Sequence, residues 1–213
     1  MTDNKMAATV LLQLESLFGI DSSEREALLA IHEKAESKTI YGLLHSTNKY
    51  FSHCKENGLN PLHSVMHCIY CYWLSRLAFL TGATSIADKI YYLNKAMNGV
   101  ELFYEVNMPD IWGCDHPLGA VMGRAEFGDY FSFIQGCTVG NNKGVYPVIG
   151  NHVSMLSHSK ILGKSHIGNH VILSANSYVK DEDIPDHSIV FGMSPHLVIK
   201  ENKLPDLAWK DEI

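Results

Sequence analysis

Apolar and polar residues change their period part-way along the chain. Up to about Gly99 the apolar positions recur at helical spacing. "SSEREALLAIHEKAES" starts at Ser22 and Ser23, residue types that cap helix N-termini. Glu24 and Glu26 follow in the first turn, where the helix dipole favours acids. "NPLHSVMHCIYCYWLSRLAFLTG" predicts a long apolar helix, opened by a proline-containing turn and closed by Gly82. In "SIADKIYYLNKAMNG" the residues Ile86, Ile90, Leu93 and Met97 fall on one helical face, and Gly99 is the stop.

After Val100 the beat becomes six. Ile149, Met155, Ile161, Ile167, Leu173 and Val179 are each six residues apart. The fifth place of each unit is small or β-branched: Val153, Ser159, Ser165, Val171 and Ser177. Leu102, Met108 and Cys114 keep the same spacing, as do Phe127, Phe133 and Val139. Between Val139 and Ile149 the stretch "GNNKGVYPV" interrupts the beat and reads as a loop pushed out of a regular structure. Hairpins of a β-sandwich have period two, so a six-residue period instead marks a stacked repeat whose units bury their apolar residue against neighbours. Gly150 and Gly168 mark tight corners, and Asn151 and Asn169 suit left-handed backbone angles there. The chain therefore divides into a helical domain over 1–99, a repeat domain over 100–200 and a polar tail over 201–213.

Composition narrows the function classes. The chain has 213 residues and a formal net charge of −6, which gives no reason to expect nucleic acid or an anionic membrane as partner. No run of 18 apolar residues and no basic-then-apolar start are present, so neither a membrane span nor a secretory signal is expected. Five cysteines without such a signal read as reduced thiols of a cytoplasmic protein. His63, His67 and Cys71 share a helix face at the spacing of helix-borne zinc ligands, with Cys68 beside them. Apolar surroundings and the lack of an intervening glutamate make this a packed helix, and no metal is expected.

The units "IGNHVS" and "IGNHVI" resemble the repeat of the hexapeptide-repeat acyltransferases. "DHPLGAVMG" (115–123) is similar to the Asp-His-x-x-Gly catalytic stretch of their serine O-acetyltransferase branch. "FSFIQGCTVG", "SMLSHSKILG" and "IVFGMSPHLVIK" resemble, in turn, the strand before the expelled loop, a coil lining the acyl-CoA channel, and the closing cap. The resemblance runs from about Pro61 to Lys200. It implies an α+β fold in which an N-terminal α-helical domain precedes a left-handed parallel β-helix. It also implies acetyl-CoA as cosubstrate and trimers, or hexamers, with active sites between neighbouring prisms.

On that resemblance His116 is the general base that takes the acceptor's hydroxyl proton, a job suited to an imidazole near neutral pH. Glu101, 15 positions earlier, stands where the family has the aspartate that orients the imidazole. Asp115 would face the acceptor, and Asn141, Ser157 and Ala175 fall at acyl-CoA positions, with His158 where a small residue is usual. Serine acetyltransferases hold the amino acid with an Arg-His pair at the end of the expelled loop. Here Val145 and Tyr146 stand in those places, and the loop is shorter. A valine cannot pair with a carboxylate, whereas Tyr146 offers a flat ring with a hydroxyl. The expected acceptor is accordingly a sugar hydroxyl in glycan synthesis; serine O-acetylation and a non-catalytic scaffold are the competing readings.

Overall fold

The computed structural model describes residues 5–206 and 208–210. The remaining tail positions, 207 and 211–213, and the first four residues of the expected helical domain lie outside them. Five α-helices occupy the first part: α1 (Lys5–Phe18), α2 (Ser22–Leu44), α3 (Cys54–Asn57), α4 (Ser64–Leu80) and α5 (Thr84–Asn98). The cap of α2 sits one residue earlier than the serines suggest. Asp21 accepts from the Glu24 N–H while the Glu24 carboxylate accepts from the Asp21 N–H, a reciprocal capping box. Glu24 also binds Ser85 and Lys89, tying the start of α2 to α5. α4 is buried on nearly every side, as its uniform apolarity requires. Gly99 ends α5 in the left-handed conformation at φ 64°. Ile86, Ile90 and Leu93 of α5 are buried, but Met97 is half exposed. Asn94 and Asn98 take the inward places instead, donating to the Cys68 carbonyl and the His67 ring.

From Glu101 the chain winds into a parallel β-solenoid of three faces. Face I stacks β1 (Glu101–Leu102), β3 (Val121–Met122), β6 (Thr138–Gly140), β9 (Lys160–Leu162) and β12 (Tyr178–Lys180). Face II stacks β2 (Trp112–Cys114), β5 (Phe131–Phe133), β8 (Ser154–Met155), β11 (Ile172–Leu173) and β14 (Ser188–Met193). Face III stacks β4 (Glu126–Phe127), β7 (Val148–Ile149), β10 (His166–Ile167) and β13 (Asp183–Ile184). β14 bends from face II towards face I, and β15 (His196–Glu201) closes the end antiparallel to it. Ile161 pairs with Val179, 18 residues on, whereas Val139 pairs with Ile161, 22 on. The loop after β6 thus inserts four residues relative to the 18-residue coil that follows, while the outer coils span 17 to 20.

Burial explains the six-residue beat. Ile149, Met155, Ile161, Ile167, Leu173 and Val179 are at most 3 % exposed, and so are the fifth-place residues Val153, Ser159, Ser165, Val171 and Ser177. Each unit therefore points two residues into one shared interior, and the small one fits at the bend.

At the III–II corner the left-handed residues are His152, His170 and His187, not the asparagines before them. The asparagines instead make a side-chain ladder. Asn151 Oδ1 accepts from the Asp129 N–H, Asn169 Oδ1 from the Asn151 N–H, and Asp186 Oδ1 from the Asn169 N–H. The rings of Tyr130, His152, His170 and His187 then stack at centroid spacings of 4.2, 4.6 and 4.7 Å. Coils approach so closely here that a Cβ on Gly128 would stand 2.5 Å from the Gly150 carbonyl carbon.

The tail is anchored rather than solvated. Asn202 donates to the His170 carbonyl, and Asp206 binds the His152 ring at 2.7 Å. Trp209 is buried over Gly113, while the Thr47 N–H donates to the Ala208 carbonyl. The segment thus crosses face II back to the end of α2.

Gly128→Ala is expected to cost about 1–3 kcal/mol, because the added methyl must displace backbone rather than a flexible side-chain end. Urea unfolding followed by circular dichroism measures it; an unchanged midpoint would refute the close-approach account.

Candidate active site

The three corners of the solenoid carry different chemistry, and the sequence-derived candidates sort between two of them. Asp115–Ala120 form the II–I corner between β2 and β3. His116 is left-handed at φ 46°. Its segment is pinned by hydrogen bonds from the Asp115 N–H to the Phe133 carbonyl and from the Gly119 N–H to the Gly99 carbonyl. The His116 and Asp115 side chains are 78 % and 56 % exposed and 3.7 Å apart. An ion pair so exposed contributes little to stability. Its significance is position, since the imidazole projects from the prism where a neighbouring molecule can reach it.

Along this same corner the next coils bring Gln135–Gly136, Ser157–His158 and Ala175–Asn176 into one column. Hydrogen bonds from the Gly136 N–H to the Leu118 carbonyl, from His158 to Gln135 and from Asn176 to Ser157 define it. Ser157 and Ala175 therefore lie in line with His116, forming an edge with small side chains. His158 fills part of that edge: its ring covers Gly136, where a Cβ would meet Nδ1 at 2.2 Å.

Glu101 lies on β1 beside this corner, its N–H donating to the Ala120 carbonyl. Its carboxylate is bound by the Tyr91 hydroxyl and the Lys95 ammonium of α5, and the structure draws no hydrogen bond from it to His116. Partial burial works to raise the Glu101 pKa, but the bonds from Lys95 and Tyr91 outweigh it and hold the carboxyl below its ordinary range. Burial first, and then this carboxylate, push the Tyr91 hydroxyl upward. Glu101 is thus a fixed anion beside the His116 corner.

His63, His67 and Cys71 do not act as one cluster. His67 bonds Gln13 and Asn98, and burial lowers its pKa to about 4, keeping the imidazole neutral. His63 stands at the N-terminus of α4, stacked on Tyr50 at 4.7 Å, with its buried Nδ1 unpartnered. Burial lowers its pKa as well, while the nearby charge of Asp115 opposes that and His116 adds to it. Its closeness to the Asp-His stretch has no signal in the sequence, because the two segments are joined only by the fold. Among the described residues, no group of three or more His, Cys, Asp or Glu side chains is arranged to hold a metal ion. All five cysteines are buried and unpaired.

Asn141 and Tyr146 are not brought to this column. Both sit on the loop over 141–147 at the I–III corner, the opposite edge of face I. Asn141 is exposed, and its Oδ1 takes the Gly144 N–H at 3.4 Å. Tyr146 is 43 % exposed and lies near Arg124, to which the sequence pattern drew no attention. An apolar cavity of about 240 Å³ lies elsewhere, on face II, between Phe51, Trp112, Phe133, Met155 and Trp209. Asp115 lines it but His116 does not.

No family model matches the chain. It is 28% identical over 143 residues to a serine acetyltransferase of Staphylococcus epidermidis, covering 65% of this chain and 67% of that one. It is also 28% identical over 145 residues to one of Helicobacter pylori, covering 66% and 84%. Among solved structures, the Neisseria gonorrhoeae serine acetyltransferase superposes with a TM-score of 0.68 at 21% identity, covering 94% of this chain and 80% of that one. The Brucella abortus serine acetyltransferase gives 0.68 at 19% identity, covering 93% and 81%. These superpositions show the fold, helices followed by a left-handed parallel β-helix. The relatives overturn the expected sugar acceptor, since they are named as serine acetyltransferases. Tyr146 had suggested a free stacking platform, but it stands beside the Arg124 guanidinium. No helix among the described residues is long and apolar enough to cross a membrane. Repeat, solenoid and relatives together make this chain similar to the hexapeptide-repeat acyltransferases of the serine O-acetyltransferase branch.

Proposed function

We propose that the protein transfers acetyl from acetyl-CoA to the hydroxyl of L-serine. The observation that carries this reading is the corner column: an exposed histidine in line with Ser157 and Ala175, in a chain related to serine acetyltransferases. A solved serine acetyltransferase with a TM-score of 0.62 to this chain is a complex with CoA, which supports the same donor here.

In this reading His116 takes the proton from the serine hydroxyl as that oxygen attacks the thioester carbonyl. The C–O bond forms, the C–S bond breaks, and the imidazolium returns its proton to the departing thiolate. Glu101, a carboxylate fixed by Lys95 and Tyr91, stabilises the imidazolium electrostatically. Asp115 offers its carboxylate to the acceptor's ammonium group. Ser157 and Ala175 line the pantetheine path, and Asn141 meets CoA from the other edge of a neighbouring prism.

That last assignment makes the site a property of an assembly. Asn141 and His116 lie on opposite edges of face I, so one chain does not supply both to one ligand. Trimers that set the II–I corner of one copy against the I–III corner of the next join the two edges.

Thiol release from acetyl-CoA with L-serine is expected at kcat/KM above about 10⁴ M⁻¹s⁻¹; no release with L-serine sinks the acceptor. His116→Ala is expected to lower kcat by at least about a hundredfold while an acetyl-CoA thermal shift persists. Glu101→Gln is expected to be milder, since that carboxylate never receives the proton. Near-normal turnover in the His116 variant refutes the base. Light scattering is expected to give a trimer or a multiple of one, and a stable active monomer rules out the shared site.

A further inference from the structure

An amino-acid acceptor presents a carboxylate as well as a hydroxyl, and that carboxylate needs a cation at the site. The tip of the expelled loop offers Val145 and Tyr146 in the places where a cation is expected. One cation lies directly beneath the loop. Arg124 follows β3 at the I–III corner, and both of its flanks are bonded to the roots of the loop. The Gly123 N–H donates to the Val139 carbonyl at 2.8 Å, just before the loop, and the Glu126 N–H donates to the Pro147 carbonyl at 3.1 Å, at its end. Gly123 lies so close that a Cβ there would stand 2.7 Å from the Val139 oxygen, so the backbone position of Arg124 is fixed against the loop.

The side chain is oriented as well. Nη2 of Arg124 donates to Glu105 Oε2 at 2.6 Å, and the arginine and glutamate side chains are 55 % and 38 % exposed. The hydrogen bond with Glu105, and after it the one with Tyr146, hold the guanidinium above its ordinary pKa. A guanidinium carries five N–H donors in a planar fork. Nη2 is taken by Glu105, and with the side chain 55 % exposed the remaining N–H groups are open for a two-point grip on an incoming carboxylate. The other loop cation, Lys143, is drawn elsewhere. It is exposed and lies near Asp181, which accepts from Asn142 at 2.6 Å on the next coil.

We propose that Arg124, steered by Glu105 and Tyr146, holds the α-carboxylate of the amino-acid acceptor. The proposal rests on the serine reading above, and it assigns the acceptor's charge to a residue outside the loop. Arg124 lies on the edge of face I opposite His116, so the guanidinium of one copy serves the histidine of its neighbour. Glu105 both aims the guanidinium and competes for it, which gives the two substitutions opposite signs.

Steady-state kinetics of the full chain with L-serine and with L-serinamide, which keeps the hydroxyl and the amine but lacks the carboxylate, test this. Arg124→Gln is expected to raise KM for L-serine by about tenfold or more, as loss of a charged hydrogen bond implies. The same variant should leave KM for serinamide and for acetyl-CoA within about twofold, which also certifies its fold. Glu105→Gln is expected to lower KM for L-serine about two- to fivefold by freeing the guanidinium. A merely structural ion pair would instead harm both variants alike with both acceptors. An unchanged KM for L-serine in Arg124→Gln, an equal effect on serinamide, or the tenfold rise appearing in Lys143→Gln instead overturns the assignment while the serine reading stands. A wild-type protein that ignores L-serine overturns both.

Discussion

Constant register is the constraint on which everything else in this molecule depends. Because Ile149 pairs with Ile167 and Ile161 with Val179, the central coils repeat the same three strands and the same three corners one over another. A residue's place in its hexapeptide therefore decides which column it joins, and columns do not mix within one chain. Rings stack along one corner, small residues line up with His116 along another, and the third releases the four-residue insertion. The backbone hydrogen bonds between coils are satisfied by this stacking, so the corners are free to carry side chains with no structural duty. The same rigidity keeps His116 and the expelled loop at opposite edges of face I.

The helical part is bound to this register at its first coil. Gly99 ends α5 and accepts from Gly119, while Glu101 begins β1 by donating to Ala120, so the histidine corner is braced against the helices. The same junction delivers Tyr91 and Lys95 to Glu101. Two donors from one helix face keep that carboxylate ionised and in place. The tail adds a second brace, since Trp209 and Asp206 connect face II to α2 and to the ring stack. Its indole was invisible as a structural element because a single tryptophan in a polar segment has no period to read.

Much of the fold was legible in the sequence for a physical reason. Burial imposes period, and period survives in residue order, as the inward series from Ile149 to Val179 does. The expelled loop was legible as a gap in that order. Local chemistry was read less well. Asn151 and Asn169 have the right residue type for left-handed angles, yet they act as side-chain acceptors, and the histidines after them turn left-handed because their rings gain a stacking partner on each coil. Met97 had the right spacing on α5, but Asn94 and Asn98 won the inward face because the buried His67 and the Cys68 carbonyl needed partners.

The acceptor was misread for a different reason. The end of the loop, at Val145 and Tyr146, lacks a cation, and reading along the chain treats that as loss of the function the cation serves. Stacked coils break the link between position in the sequence and position at the site. Arg124 precedes the loop by more than a full strand, yet the backbone on either side of it is bonded to Val139 just before the loop and to Pro147 at its end. A charge removed from one coil can be replaced from the coil beneath without altering the motif either coil displays. In a solenoid the unit of comparison for a binding residue is consequently the column. A substitution such as valine at the loop tip has to be weighed against every side chain that register places within reach of it.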